Sequence, residues 1–453
     1  MSTIPIPLQP LQPIPPTTSI LATTRALIAS YLTAHSTLAQ TLTPSTATFA
    51  NTVHHLALTA QSSDAFASLV SCLWYCSPSA EVRAAAQEAR KLWHEAGTSV
   101  LSRDDVFELV KAVFDKEGGE LVGEERRLVV DMLREYRDIG HGVLNEGERE
   151  EIRKSWLEIG ELIDEFKGNL ANDKGGMWFT EEELEGVKGD KVQSFRLGGE
   201  GDGEGEGKRW VTFQHGDEAA VMRFAERRET RKRYRDAADR TLPENVQIFR
   251  RVFEMRDANA RRLGYGSHAE YRLAGRMAGS PGWVEGFNAS VKEGLGPFVE
   301  RDLERRRACM RRHLERNPDF GGEGDEVPRE DRAYYKRLSE EEDRIDHEKI
   351  SEWFPVEHTI KAMLGMFSAF LGIIFVAVPR EELDGKVWHD EVEVFSVWEE
   401  GEAGAIGDFL GYLYTDLLFR DGKYRGNQNC PLQSVSAWSC LQAMHACLHR
   451  PGT

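Results

Sequence analysis

Apolar residues recur at three- and four-residue intervals through much of the chain from about residue 18 to 185. In 151–171, Ile152, Trp156, Ile159, Ile163, Phe166 and Leu170 form one stripe on an otherwise acidic segment, the spacing of an amphipathic helix. In 102–115, Val106, Phe107, Val110, Val113 and Phe114 repeat the pattern, and Ser102 with Asp105 reads as a capped start. The pattern changes at 192–213. There, 192–197 and 209–213 are short runs rich in Val, Phe and Trp that predict two strands, joined by a flexible hairpin loop, GGEGDGEGEG, at 198–207. Helical spacing returns over 217–315, where Val246, Phe249, Phe253, Ala260 and Leu263 line up and Gly264 ends the run.

Residues 362–378 (AMLGMFSAFLGIIFVAV) carry no charge. Seventeen residues reach the lower limit of a membrane span, so a membrane-anchored reading is open. Gly365, Ser368 and Gly372 dilute the run, and its β-branched end predicts a buried helix that turns at Gly372 into a buried strand. Beyond it, 391–398 and 408–417 flank a Gly/Glu-rich turn as an antiparallel pair would. Residues 1–20 are Pro-rich and aperiodic, the composition of a disordered arm.

Composition narrows the function classes. Lys and Arg number 57 against 75 Asp and Glu, a net charge of −18, which disfavours nucleic acid as a partner. Two basic runs, 227–235 and 301–316, read as solvated helix faces paired with neighbouring acids. The glycine loop is no phosphate cradle, since no Lys-Ser/Thr follows it and its four acids would repel an anion. It also lacks the ligand spacing of a calcium loop. Six scattered cysteines and no leader-like start point to a reducing cytoplasm.

Several stretches occur in one collinear order: IDEFKGNLANDKGGMWFTEEELEGV at 163–187, ETRKR at 229–233 and LGYGSHAEY at 263–271. Tyr334-Tyr335 followed by ISEWFP at 350–355, VWHDEV at 387–392 and GYLYTD at 411–416 complete the series. Together they resemble the thimet oligopeptidase and saccharolysin family of zinc metallopeptidases over roughly 18–424. The resemblance implies a mainly α fold of two lobes around a deep channel, with a small antiparallel sheet. It also implies one zinc ion and short peptides as substrates. It divides the chain into an N-terminal helical domain at 21–216 and the N-terminal portion of a catalytic domain at 217–433. A tail at 434–453 is expected to lie outside the family pattern.

Zinc hydrolysis needs three protein ligands and an open position for water, and the helical solution is H-E-x-x-H. That motif does not occur. His94-Glu95 is followed by Thr98 and His347-Glu348 by Ser351, so neither gains a second imidazole. His389-Asp390-Glu391 is followed by Glu393, on an expected strand. His445 and His449 are four apart with Cys447 between, but Ala446 takes the general-base position and Pro451 ends any helix. Cys72 and Cys76 read as buried core, and no G-x-S-x-G is present. No catalytic, metal or substrate-binding residue is therefore assigned. The expectation is a metalloendopeptidase framework that is inactive as given, with a non-catalytic peptide-binding or interaction protein as the alternative. A core face including Phe367, Phe370, Phe375 and Phe409 is expected to be exposed and to attract chaperones.

Overall fold

The computed structural model describes residues 7, 9–213, 215–317, 326–401, 405–418, 420, 422–424 and 427–433. Among them are fifteen α-helices and two three-stranded antiparallel sheets, a mainly α fold as expected. The chain divides into two compact units, Val143–Phe354 and a discontinuous one made of Met1–Gly142 with Pro355–Thr453. These units do not coincide with the segments 21–216 and 217–433.

The discontinuous unit opens with α1 (Thr17–Thr41), α2 (His54–Cys76), α3 (Ala80–Leu101), α4 (Asp104–Glu117) and α5 (Gly123–Asp138). Val53, Leu56, Val106, Val110, Val113, Val129 and Leu133 form its larger core. The α4 periodicity holds, but Ser102 is not its cap: the Ser102 hydroxyl donates to the Thr98 carbonyl at 2.8 Å and closes α3. Residues 9–20 also differ from the loose arm expected. Leu11 is buried among Leu383, Val392 and Val394, the Ile14 N–H donates to the Gly385 carbonyl at 2.8 Å, and α1 begins at Thr17. An apolar side chain with a pocket to fill outweighs the loosening effect of the prolines.

Residues 362–378 divide at the glycine as expected, but the helix is not buried: only Leu364 is, while Met363, Met366, Phe367, Phe370 and Leu371 are exposed and the strand is half-buried. α15 (Val356–Leu371) stops at Gly372, which has φ 64° in the left-handed region, and β4 (Ile373–Ala377) follows. No helix among the described residues is long and apolar enough to cross a membrane. β5 (Glu393–Glu400) pairs antiparallel with both β4 and β6 (Ile406–Thr415), close to the expected 391–398 and 408–417.

The second unit starts at α6 (Glu146–Asn172), launched by a capping box in which Asn145 and Glu148 each accept the other's backbone N–H at 3.0 Å. Its stripe packs on α10 (Glu244–Arg262) through Ile248, Val252 and Met255. The expected α10 face is rotated away: Val246, Phe249 and Phe253 are exposed, while Ala260 and Leu263 are buried. Both stripes have helical spacing, so periodicity could not choose between them. Asn245 chooses, taking a 2.8 Å bond from the Asn169 amide and donating to the Phe166 carbonyl at 3.2 Å.

The first sheet runs β1 (Gly176–Phe179), β3 (Arg209–Thr212), β2 (Arg196–Leu197). β1 was not foreseen. Nor does 192–197 form one strand: α7 (Gly189–Ser194) takes its start, with Val192 buried against the core of Phe179, Val211 and Tyr234. The glycine loop makes specific contacts. Asp202 accepts from the Gly199 N–H at 2.9 Å and pairs with Arg196 at 3.0 Å. A Cβ on Gly205 would lie 2.3 Å from the Trp178 ring. The remaining helices are α8 (His215–Phe224), α9 (Arg228–Ala238), α11 (His268–Leu273), α12 (Pro281–Arg316), α13 (Arg332–Glu342) and α14 (His347–Glu352).

Candidate functional site

Two charge clusters, one buried and one half-buried, sit on the motif residues. The first is on α9, whose run 227–235 was expected to be a solvated face. Arg231 is instead fully buried. Its Nε and Nη2 donate to one Asp331 oxygen at 3.0 and 2.6 Å, and its Nη1 donates to the Ala225 and Glu226 carbonyls at 2.6 and 3.0 Å. The guanidinium lies 4.2 Å from the Tyr334 ring centroid. Arg228 approaches the other Asp331 oxygen at 3.2 Å. Burial pushes the Asp331 carboxyl up, more than the Arg231 charge lowers it. The second basic run conforms better: Arg307, Arg311 and Arg312 pair with Glu300, Glu304 and Glu342 at 3.1, 2.6 and 2.5 Å.

The second cluster, in the other unit, is centred on Asp416, just past β6. Its carboxylate accepts from the Trp388 indole N–H at 2.8 Å, from Arg420 at 2.6 and 2.7 Å, and from Lys423 at 2.8 Å. Burial would raise this carboxyl, but the three sets of hydrogen bonds outweigh it and hold the pKa at about 2. Arg420 also donates to the Cys76 carbonyl at 2.6 Å, tying the end of α2 to the strand end.

Each described histidine of the His-Glu and His-Asp pairs has its own local partners. His389 stands in a turn before β5, not on a strand. Its Nδ1 accepts the Glu391 N–H at 3.2 Å and lies 3.6 Å from the Glu391 carboxylate. His347 opens α14 and meets Glu340 at 3.2 Å. Glu340 is shared with Lys336 at 3.7 Å and Arg223 at 3.9 Å around a cavity of about 280 Å³. His94 lies within α3, where its carbonyl accepts the Thr98 hydroxyl at 2.9 Å. His445 and His449 lie outside the described residues.

Zinc would need a third donor, and a second imidazole, at the His389 or His347 position. Among the described residues no group of three His, Cys, Asp or Glu side chains is arranged to hold a metal ion. The described residues therefore do not fit the zinc ion that the motifs imply. Cys72 and Cys76 are buried with their sulfurs 3.7 Å apart. The hydrogen bond between them, together with burial, pushes the Cys72 thiol up, so it is held protonated and is no nucleophile.

One larger concavity, about 550 Å³, opens in the helices of the discontinuous unit. Leu56, Val100, Leu101 and Met132 line it, with Asp64, Glu124 and Asp131 among its charged groups. It brings no nucleophile and base together. The hubs at Arg231 and Asp416 escaped the sequence reading. Their only signal was membership of the motifs, Arg231 in ETRKR and Asp416 in GYLYTD.

Comparison with known proteins agrees with those motifs. The profile of peptidase family M3 matches residues 221–446. That segment runs into 434–453, past Gln433, where the resemblance was expected to stop. The chain is 28% identical over 347 residues to oligopeptidase PhomG of Diaporthe leptostromiformis, covering 75% of this chain and 47% of that protein. It is 29% identical over 364 residues to saccharolysin of Saccharomyces cerevisiae, covering 80% and 51%. With the thimet-like oligopeptidase of Dictyostelium discoideum it shares 25% over 351 residues, 76% and 50%. The chain thus spans about half the length of these curated relatives.

Proposed function

This chain belongs to peptidase family M3, and from that premise we propose that it is the peptide-binding framework of a zinc-dependent oligopeptidase that does not itself hydrolyse peptides. The family supports short peptides as the ligand class and zinc as the metal of the complete catalytic apparatus. The observation that carries the second half of the reading lies in the 453 residues themselves. Of 13 histidines only His445 and His449 stand four apart, and Ala446 occupies the place where H-E-x-x-H requires the general base. The protonated Cys72 and the paired His389 and His347 supply no substitute. The free thiols of Cys72, Cys76, Cys309 and Cys430 suit a reducing, cytoplasmic setting.

The test uses the purified chain and a set of internally quenched peptides of about ten residues. With zinc added, the expected result is saturable binding by fluorescence anisotropy and no turnover above a buffer control. Turnover that a chelator abolishes, in a preparation free of host proteases, would overturn the reading.

A further inference from the structure

Residues 9–16, QPLQPIPP, lie along the discontinuous unit with a repeat of three. Pro10, Pro13 and Pro16 are exposed, Leu11 is buried and Ile14 is half-buried. Pro16 has φ −56° and ψ 144°, close to the values of a polyproline II helix. Such a helix has three residues per turn, so Leu11 and Ile14 share one edge, about 9 Å apart, while the three exposed prolines share another. Four prolines in these eight positions favour that conformation before any contact is made.

The surface beneath matches the apolar edge. Leu11 enters a socket formed by Leu383, Val392 and Val394. Ile14 packs against a second socket, formed by Cys72, Leu73 and Cys76. Trp388 borders both sockets, and Tyr412 and Tyr414 border the first. The backbone is held at two points: the Tyr412 hydroxyl donates to the Gln9 carbonyl at 2.8 Å, and the Ile14 N–H donates to the Gly385 carbonyl at 2.8 Å. The Gln9 amide adds a side-chain bond to Gln433. An aromatic-lined groove is a general receptor for proline-rich segments, because such a ligand arrives already ordered. Here the groove and an occupant of that chemistry are seen together.

We propose that this groove is a docking site for proline-rich peptides carrying apolar residues three apart, and that residues 9–16 fill it in cis as a displaceable stand-in. The site uses no hydrolytic group, so it stands whether or not the chain cleaves peptides. The probe is a fluorescein-labelled peptide with the sequence of residues 7–17, titrated by anisotropy. The double variant Leu11→Asp, Ile14→Asp of the full chain removes both anchors and leaves the socket walls untouched. It is expected to bind the probe about tenfold more tightly or better than the parent, whose own segment competes at a millimolar effective concentration. Tyr412→Phe in that background is expected to weaken binding about threefold by losing the bond to the Gln9 carbonyl of the probe. A probe with Ile14 and Pro15 exchanged, which sets the apolar residues four apart, is expected to lose binding. Should the double variant lose its circular dichroism signal, the parent chain decides alone. Excess probe is then expected to speed hydrogen exchange of residues 9–16, read by mass spectrometry, while the exchanged probe leaves it unchanged. Equal affinity of the folded double variant and the parent, equal affinity for the two probes, or exchange at 9–16 that the probe does not alter would each overturn the proposal. So would a dimer in sedimentation equilibrium that the probe dissolves, since the segment would then sit in a second copy.

Discussion

At Asp416 three donors converge on one carboxylate, and two of them carry full positive charge. Its pKa of about 2 in the folded chain stands against about 4 in an unfolded one. A depressed acid stabilises the fold above its unfolded pKa and loses that contribution as pH falls through the folded value. The contribution is on the order of 2 kcal/mol, fully present above about pH 5 and gone near pH 2. Asp416→Asn should therefore flatten the fall in urea midpoint between pH 5 and 2, and should cost about 3 kcal/mol at pH 7 by stranding Arg420 and Lys423. Arg231 poses a stricter case because its geometry is forked and stacked. Arg231→Lys keeps the charge but loses the fork and the ring contact. It is expected to lower stability by about 2–4 kcal/mol, read from urea denaturation, close to the effect of Arg231→Ala. Equal stability of Arg231→Lys and the parent would show that charge alone matters there.

Among elements, α10 separates the two stripes that its spacing left equivalent. Met255→Ala, in the buried stripe, is expected to cost about 2–4 kcal/mol. Phe253→Ser, in the exposed one, is expected to stay within about 0.5 kcal/mol; comparing the two urea midpoints decides which face is the core. Gly372 ends α15 with φ 64°, so Gly372→Val should lower stability by roughly 1–2 kcal/mol, since a Cβ is disfavoured there and a branched one more so. The same elements show what a single sequence discloses. α4, α6, the split of 362–378 and the β5–β6 pair were legible because their periods are long or their punctuation is sharp. α7 and β1 were not, because four to six residues hold too little of either period to choose a state. The rotation of α10 depended on Asn169, 76 residues before its partner, and the burial of Arg231 on Asp331, 100 residues after it. Such pairings leave no trace in local spacing. For the site, the absence of H-E-x-x-H was readable outright, whereas the hubs at Arg231 and Asp416 were visible only as unexplained motif letters.

For the whole molecule, exposed apolar surface is the dominant feature. On α15, Met366, Phe367, Phe370 and Leu371 face solvent, while Phe375 and Phe409, expected beside them, are half-buried in the sheet. The native chain should bind an environment-sensitive apolar dye, and Phe367→Ser with Phe370→Ser should cut that signal severalfold without moving the urea midpoint. An unchanged signal would place the dye elsewhere. The discontinuous unit carries a different consequence, one of timing. Leu11 needs Leu383 and Val394 to complete its core, and the Cys76 carbonyl waits for Arg420. Between those partners the ribosome must first deliver all of Val143–Phe354. At ordinary elongation rates the wait is roughly 20–70 seconds, during which the opening helices emerge with part of their core unfilled. The intervening unit, continuous in the chain, can close first. Nascent chains stalled before residue 380 should accordingly protect 143–354 from protease while leaving the first strand-less helices open to it.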